Sequence, residues 1–155
     1  MTKSEVQKRV LQNGKPLSQR RFKWDSESRT FSSGETNLVF DFDGIDCCTF
    51  RTGDRCVFKT ATNCNFTTGS LCTFETGGNC DFIVGNECIF TTASHCSFNV
   101  GDRCTFDVWG GSIFVVGNEC VIISRDFYKK THRVIEPNRG QKIKLIKEEP
   151  GFVVL

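Results

Sequence analysis

The chain is poor in the residues that usually diversify a protein interior. Its 155 residues include one methionine, two tryptophans and one tyrosine, beside two histidines and three prolines. A core drawn from many apolar side-chain types is excluded, so one choice must be repeated. No apolar run approaches the roughly 18 residues that a membrane-spanning helix needs, and Met1 to Val10 is too polar for a secretory signal. A soluble, intracellular product without a membrane partner is expected. No CxxC pair occurs, which removes the usual zinc framework. The six-residue period of solenoid acyltransferases and the GGxGxD pattern of calcium-binding solenoids are also missing, and no metal or cofactor is expected. Abundant instead are cysteine (10), phenylalanine (15) and glycine (14), in a chain long enough for one domain with a real core.

These residues recur in register. Cysteines stand at 48, 56, 64, 72, 80, 88, 96, 104 and 120, all separated by multiples of eight, with Ser112 in the single gap and only Cys47 out of frame. Two residues after each place comes a phenylalanine, from Phe50 to Phe114, and Ile122 follows the last cysteine. The unit reads CxFx(T/V)Gxx. Cys, Phe and a β-branched residue at positions 1, 3 and 5 alternate with a period of two, which predicts a short strand. Positions 6 to 8 are small or polar and predict a turn. Stacked strand–turn units make a β-solenoid.

Sorting position 6 by a period of 16 gives one column of Gly53, Gly69, Gly85, Gly101 and Gly117 and another of Ile45, Ala61, Gly77, Ala93 and Trp109. A period of 24 mixes them. The expected architecture is therefore all-β, a two-sided solenoid with 16 residues per coil and about five coils between Phe40 and Ser124, roughly 25 Å long at ~4.8 Å per strand. The all-glycine corner requires either φ > 0 or close backbone approach. The expected core is the double column that includes Cys64, Phe66, Cys72, Phe74, Cys80, Phe82, Cys88, Phe90, Cys96 and Phe98. Across such a coil Phe faces Phe and Cys faces Thr or Val, and the nearest other cysteine lies one coil away in its own column. That geometry suits reduced, buried thiols better than disulfides. Cys47, in a corner, is the one thiol expected to be exposed.

Charge divides the chain in three. Residues 1 to 24 carry seven basic groups against Glu5, net +6; residues 25 to 124 are net −8; residues 125 to 155 are net +4. The expected organisation is a basic amino-terminal arm (1–37), the solenoid (38–124) and a basic capping segment (125–155). The arm, with a short helix from Ser4 to Leu11, is expected to remain a polar tail or to order only against something else. Its candidate interaction residues are Lys8, Arg9, Arg20, Arg21, Phe22, Lys23 and Trp24. The cap is needed because an open end of stacked strands templates further pairing. Val134 to Glu136 and Gln141 to Lys147 read as two strands joined by a turn at Pro137 to Gly140, with Phe152 to Leu155 as one more. Outward apolar residues Ile113, Val115, Val121 and Ile123 are expected to be covered by this tail or by a neighbouring chain.

The units CTFRTGDR, CTFETGGN and CTFDVWGG, followed by GNECVIISRD, resemble the Cys/Phe octapeptide-repeat proteins of large double-stranded DNA viruses, whose roles are mostly unassigned. The resemblance covers about residues 40 to 126 and implies a solenoid fold and a virus-encoded product, in the host cytoplasm or the virion. For function, neither His95 nor His132 has a visible nucleophile partner, so an enzyme is not expected. Outward pairs such as Thr49/Arg51 and Asp81/Ile83 are too irregular for an ice-binding plane. Two classes remain. One is a structural or assembly protein that joins copies of itself or other subunits; the other is an acidic binding module that mimics nucleic acid toward a basic partner. Nucleic-acid binding by the arm, with Phe22 and Trp24 stacking on bases, is a third option.

Overall fold

The computed structural model describes residues 1–125, 131–138, 140–145 and 152–155. Among these residues the chain runs α1 (Lys3–Arg9), β1 (Val10–Gln12), β2 (Lys15–Pro16), a 3-10 turn (Gln19–Arg21), β3 (Lys23–Asp25), β4 (Thr30–Ser32), β5 (Leu38–Phe42), β6 (Thr49–Arg51), β7 (Val57–Thr60), β8 (Asn65–Thr67), β9 (Thr73–Thr76), β10 (Asp81–Val84), β11 (Ile89–Thr92), β12 (Ser97–Val100), β13 (Thr105–Trp109), β14 (Ile113–Val115), β15 (Val121–Arg125), β16 (His132–Ile135), β17 (Lys142–Leu145) and β18 (Phe152–Val154). The alternation in sequence becomes alternation in burial: β9, β10, β11 and β12 all read exposed, buried, exposed, buried.

Successive strands fall in opposite sheets, as a 16-residue coil requires. One sheet runs β2-β1-β5-β7-β9-β11-β13-β15-β16 and the other β3-β4-β6-β8-β10-β12-β14-β17-β18. From β5 to β15 and from β4 to β14 every pairing is parallel, and equivalent residues stand side by side, Phe66↔Phe82↔Phe98 for instance. At ~4.8 Å per strand, nine strands span about 38 Å.

The phenylalanines form two columns inside. Phe82 stacks on Phe66 and Phe98 at 4.9 Å with ring planes 5° and 3° apart, and meets Phe74 and Phe90 of the facing sheet edge-on at 5.2 Å. One spacing thus serves backbone hydrogen bonds and ring contact together. Each ring is fully buried, a contribution of about 1.5–3 kcal/mol.

There are six coils, one more than the octapeptide spacing shows. Phe31 in β4 pairs with Phe50, and Phe40 in β5 pairs with Phe58, so the first coils contain 19 and 18 residues. Arg29 precedes Phe31 where a cysteine would stand, which is why this coil lies outside the sequence repeat.

The expected free arm is part of the same body. Val6, Val10, Leu17 and Phe22 are buried with Phe31 in one core cluster, and Phe22 extends the ring column by stacking on Phe31 at 5.1 Å. α1 carries a capping box in which Glu5 N–H donates to Thr2 Oγ1 and Thr2 N–H donates to Glu5 Oε2. β1 then closes on β5, and β3 on β4, both antiparallel. The physical reason is the exposed first coil: without this cover, Phe31 and Phe40 would face water and two strand edges would be unpaired.

At the other end the capping segment also differs from a simple hairpin. β16 pairs antiparallel with β15 in one sheet, whereas β17 pairs with β14 in the other and β18 with β17. Ile135 and Ile143 close the interior beside Ile122 and Phe114. Because these strands extend the sheets in their own planes, they do not lie over the outward faces. Ile113, Val115, Val121 and Ile123 are consequently only half-buried. Residues 126–130, 139 and 146–151 of the expected cap lie outside the described residues.

At the corners the positive φ falls at position 8, not at the glycine column. Arg55, Leu71, Glu87 and Arg103 take φ between 56° and 61°, as do residues of the other corner such as Asn63 and Asn79 at 56° and 55°. The glycines answer the second requirement, close approach. A Cβ on Gly85 would lie 2.3 Å from Ser70 Oγ and 2.9 Å from Ser70 N, and one on Gly101 would lie 1.9 Å from Asn86 Oδ1. The intruding groups form a ladder along this corner. Ser70 N–H donates to Asp54 Oδ1 (2.8 Å), Asn86 N–H to Ser70 Oγ (2.9 Å), Asp102 N–H to Asn86 Oδ1 (2.9 Å) and Asn118 N–H to Asp102 Oδ1 (2.7 Å).

Two outcomes follow. Phe82→Ala in mid-stack will lower stability by about 3–5 kcal/mol in urea denaturation, since coils locked in register cannot collapse into the cavity. Gly85→Ala will cost about 1–3 kcal/mol through overpacking against Ser70, whereas Leu71→Asn, which relieves a branched side chain at φ 61°, will stabilise by about 0.5 kcal/mol. Equal effects at both corner positions would contradict this division of roles.

Candidate functional site

The cysteines are the most distinctive chemical groups, and their geometry is structural. All nine in the repeat are buried and unbridged, and Cys47 alone is exposed. The hydroxyls of Thr52, Thr68 and Thr92, each four residues before the next cysteine, donate to the Gly53, Gly69 and Ala93 carbonyls at the corners. Each sulfur also works on backbone. Cys88 Sγ accepts from Cys72 N–H one coil earlier (3.4 Å) and donates to the Asn86 carbonyl (3.4 Å). The same acceptance links Cys56 to Cys72, Cys88 to Cys104 and Cys104 to Cys120. Ser112 continues the other column without breaking it, because its Oγ accepts from Cys96 N–H at 3.2 Å. Burial pushes the Cys48 thiol up, and at Cys64 the neighbouring Cys80 sulfur and burial act together in the same direction. Protonated thiols at such rungs serve as small hydrophobes that also pair corner amides and carbonyls.

The charged candidates separate into two places. Arg20, Arg21 and Lys23 line an open groove of about 630 Å³ at the amino-terminal end, together with Ser32, Arg51 and Thr67. The 3-10 turn presents Arg20 and Arg21, and strand register presents the rest. Lys23 stands beside Ser32, Ser32 beside Arg51, and Arg51 beside Thr67, all in one outward row on successive strands. Arg21 is committed to Glu35, its Nε donating to Oε1 at 2.8 Å while Nη2 donates to Oε2. That bond holds the Glu35 carboxyl below its ordinary range. Among the described residues Arg20, Lys23 and Arg51 make no ion pair. Arg51 was not among the sequence candidates, although its outward position was legible, because the 19-residue first coil hides its adjacency to Ser32 and Lys23.

Lys8 and Arg9 lie elsewhere, in a mixed-charge hollow with Glu5 and Asp41, where Arg9 Nη1 donates to the Asp41 carbonyl at 3.0 Å. Phe22 is buried, with Lys3 Nζ 5.1 Å above its ring, and Trp24 is half-buried with Nε1 donating to the Met1 carbonyl. Stacking of bases on Phe22 is therefore overturned, since its ring is spent in closing the first coil, while the Trp24 indole stays partly accessible. Ile113 and Val115 stand at the opposite end of the rod beside β17. His95 sits in a corner with Nδ1 2.9 Å from Ser94 Oγ, and His132 on the edge strand β16. Among the described residues no three His, Cys, Asp or Glu side chains group as metal ligands, and no helix is long and apolar enough to cross a membrane.

The sulfur ladder makes a specific demand on substitution. Cys88→Ala will cost about 1–3 kcal/mol, because Cys72 N–H is left buried without an acceptor, while Cys88→Ser will cost less, as Ser112 already performs that service. Chemical denaturation of both variants checks the order.

Comparison of the chain with protein-family models, with curated proteins and with solved structures finds no match.

Proposed function

We propose that the chain is a non-enzymatic structural subunit, a rigid rod that pairs with a second copy of itself through its carboxy-terminal end. The observation that carries this reading is the inequality of the two ends. At the amino-terminal end the outermost strands are β2, two residues long and ending in Pro16, and β3, which presents Lys23 and Asp25. Proline and charge on short strands discourage further pairing. At the carboxy-terminal end β16 and β18 are outermost among the described residues of their sheets, and Val134, Val153, Val154 and Leu155 are exposed there. An exposed apolar strand edge is a template for another strand, and pairing of identical ends about a two-fold axis closes without leaving a free edge. The resemblance of the repeat to octapeptide proteins of large DNA viruses would place such an assembly in or on a virus particle.

Mimicry of nucleic acid receives less support. Three of the body's acidic groups are occupied, Glu87 by Arg103, Asp43 by Lys59 and Asp107 by Arg125. Asp54 and Asp102 spend their Oδ1 atoms on corner amides. A phosphate-like row of free carboxylates is not formed by these groups.

Size-exclusion chromatography with light scattering tests the reading. A dimer mass that persists at low and high salt is expected, since strand pairing is not screened as exposed charge is. Leu155 N–H donates inward to the Lys142 carbonyl, so the Val154 N–H points to the outer edge. Val154→Pro will therefore yield monomers that keep the β circular-dichroism spectrum and melt at a temperature independent of concentration, while a full-length chain that is monomeric at every concentration would overturn the proposal. Deleting residues 1–24 will instead destabilise the rod, because Val6, Val10, Leu17 and Phe22 are lost from its core.

A further inference from the structure

The amino-terminal groove differs chemically from everything else on the rod. Three cations line it without carboxylate partners among the described residues, while the fourth, Arg21, is paired with Glu35. Lys23 and Arg51 flank Ser32 in the outward row, two strand spacings apart, or about 10 Å between backbones. Side chains of that length can reach the serine hydroxyl from both sides, and Arg20 lines the same groove from the 3-10 turn. Hydroxyls at Ser32 and Thr67 add neutral donors along the wall. A guanidinium fork, an ammonium point charge and hydroxyl donors around one concavity match the oxygens of a phosphate group.

We propose that this groove binds a compact phosphorylated ligand, carrying one or two phosphate groups, seated over Ser32 between Lys23 and Arg51. A compact ligand is indicated by how the row continues. Beyond Thr67 it passes through Ile83, Asn99 and Val115, none of them charged, and the adjacent row carries Asp81. A long polyanion that filled the groove would run on over a surface offering no further cations for about 24 Å, until Lys142 on β17. Among the residues lining the groove no exposed ring stands ready to stack on a base, since Phe22 is buried. The volume of about 630 Å³ suits a small molecule rather than a strand. This site is independent of the end-to-end pairing proposed above, which uses the opposite end of the rod.

Titration of the full-length protein with inorganic pyrophosphate, followed by calorimetry and by NMR of the arginine side chains, tests the proposal. Saturable binding is expected, with Arg51→Gln and Lys23→Gln each weakening it about tenfold. Lys59→Gln removes a cation from the outward face of β7, in the opposite sheet, and is expected to leave affinity unchanged. Glu35→Gln is expected to strengthen binding several-fold, because it removes a negative charge and releases the Arg21 guanidinium to the groove. Melting curves confirm that these exposed substitutions leave the fold intact. Equal losses for Arg51→Gln and Lys59→Gln would reduce the effect to general surface charge and overturn the site, as would the absence of saturation. Oligothymidylates of increasing length separate the sources of phosphate: affinity independent of length supports a compact ligand, and affinity that climbs steadily with length would overturn it in favour of a nucleic-acid track.

Discussion

Parallel in-register stacking is the constraint on which the rest of this molecule depends. Once equivalent residues of successive coils must stand one strand spacing apart, every side chain is placed directly above a copy of itself or its substitute. Flat rings tolerate that arrangement well, because the strand spacing is close to a ring-stacking distance, as at Phe90 and Phe106, 4.8 Å apart. The facing column then meets them edge-on. A core of mixed large side chains would have to be re-solved at each coil, whereas phenylalanine solves it once and repeats.

The same constraint governs the corners. Adjacent coils bring backbone turns so close that a Cβ at the glycine column would meet the corner below, yet the buried amides and carbonyls there still need partners. Cysteine meets both demands, being small enough for the corner and able to accept and donate weak hydrogen bonds through one atom. Ser112 shows that the role belongs to the atom's position and hydrogen bonding rather than to thiol redox chemistry. On the outside, Asp54, Ser70, Asn86 and Asp102 relay bonds from coil to coil, so a short polar side chain at position 7 is also a structural part. The stack cannot end in its own repeat, and both ends therefore abandon it: antiparallel strands close on β4 and β5 on one side and on β14 and β15 on the other.

Functional surface arises where the repeat is interrupted. Within regular coils outward residues inherit positions with no shared purpose, and a few of their charges pair locally, as Arg103 with Glu87. At the amino-terminal interruption, segments distant in sequence meet: Arg20 and Lys23 from before the first coil, Ser32 within it and Arg51 from the second. At the carboxy-terminal interruption, apolar strand edges face outward. The two ends of the rod thus differ, a cationic hollow at one and exposed apolar residues at the other, with the regular coils setting the distance between them.

The sequence by itself determined the coil. Regular spacing of Cys and Phe, period-two alternation and the sorting of position 6 into two columns are enough to specify two sheets, 16 residues per coil, stacked rings and unbridged thiols, because each rests on a local rule repeated many times. Only the tertiary structure decided what happens where repetition stops. Phe31 joins the ring column without a preceding cysteine and 19 residues from its partner, so no local rule identifies it. Val6, Val10 and Phe22 look like isolated apolar residues in a basic tail, and become core because the first coil would otherwise expose its rings. The tail strands divide between two sheets since each sheet has its own open edge to pair. Arg51 gains its neighbours in the same way: its outward direction follows from alternation, but the strand beside it is set by long-range pairing, whose free energy comes from contacts that sequence spacing does not encode.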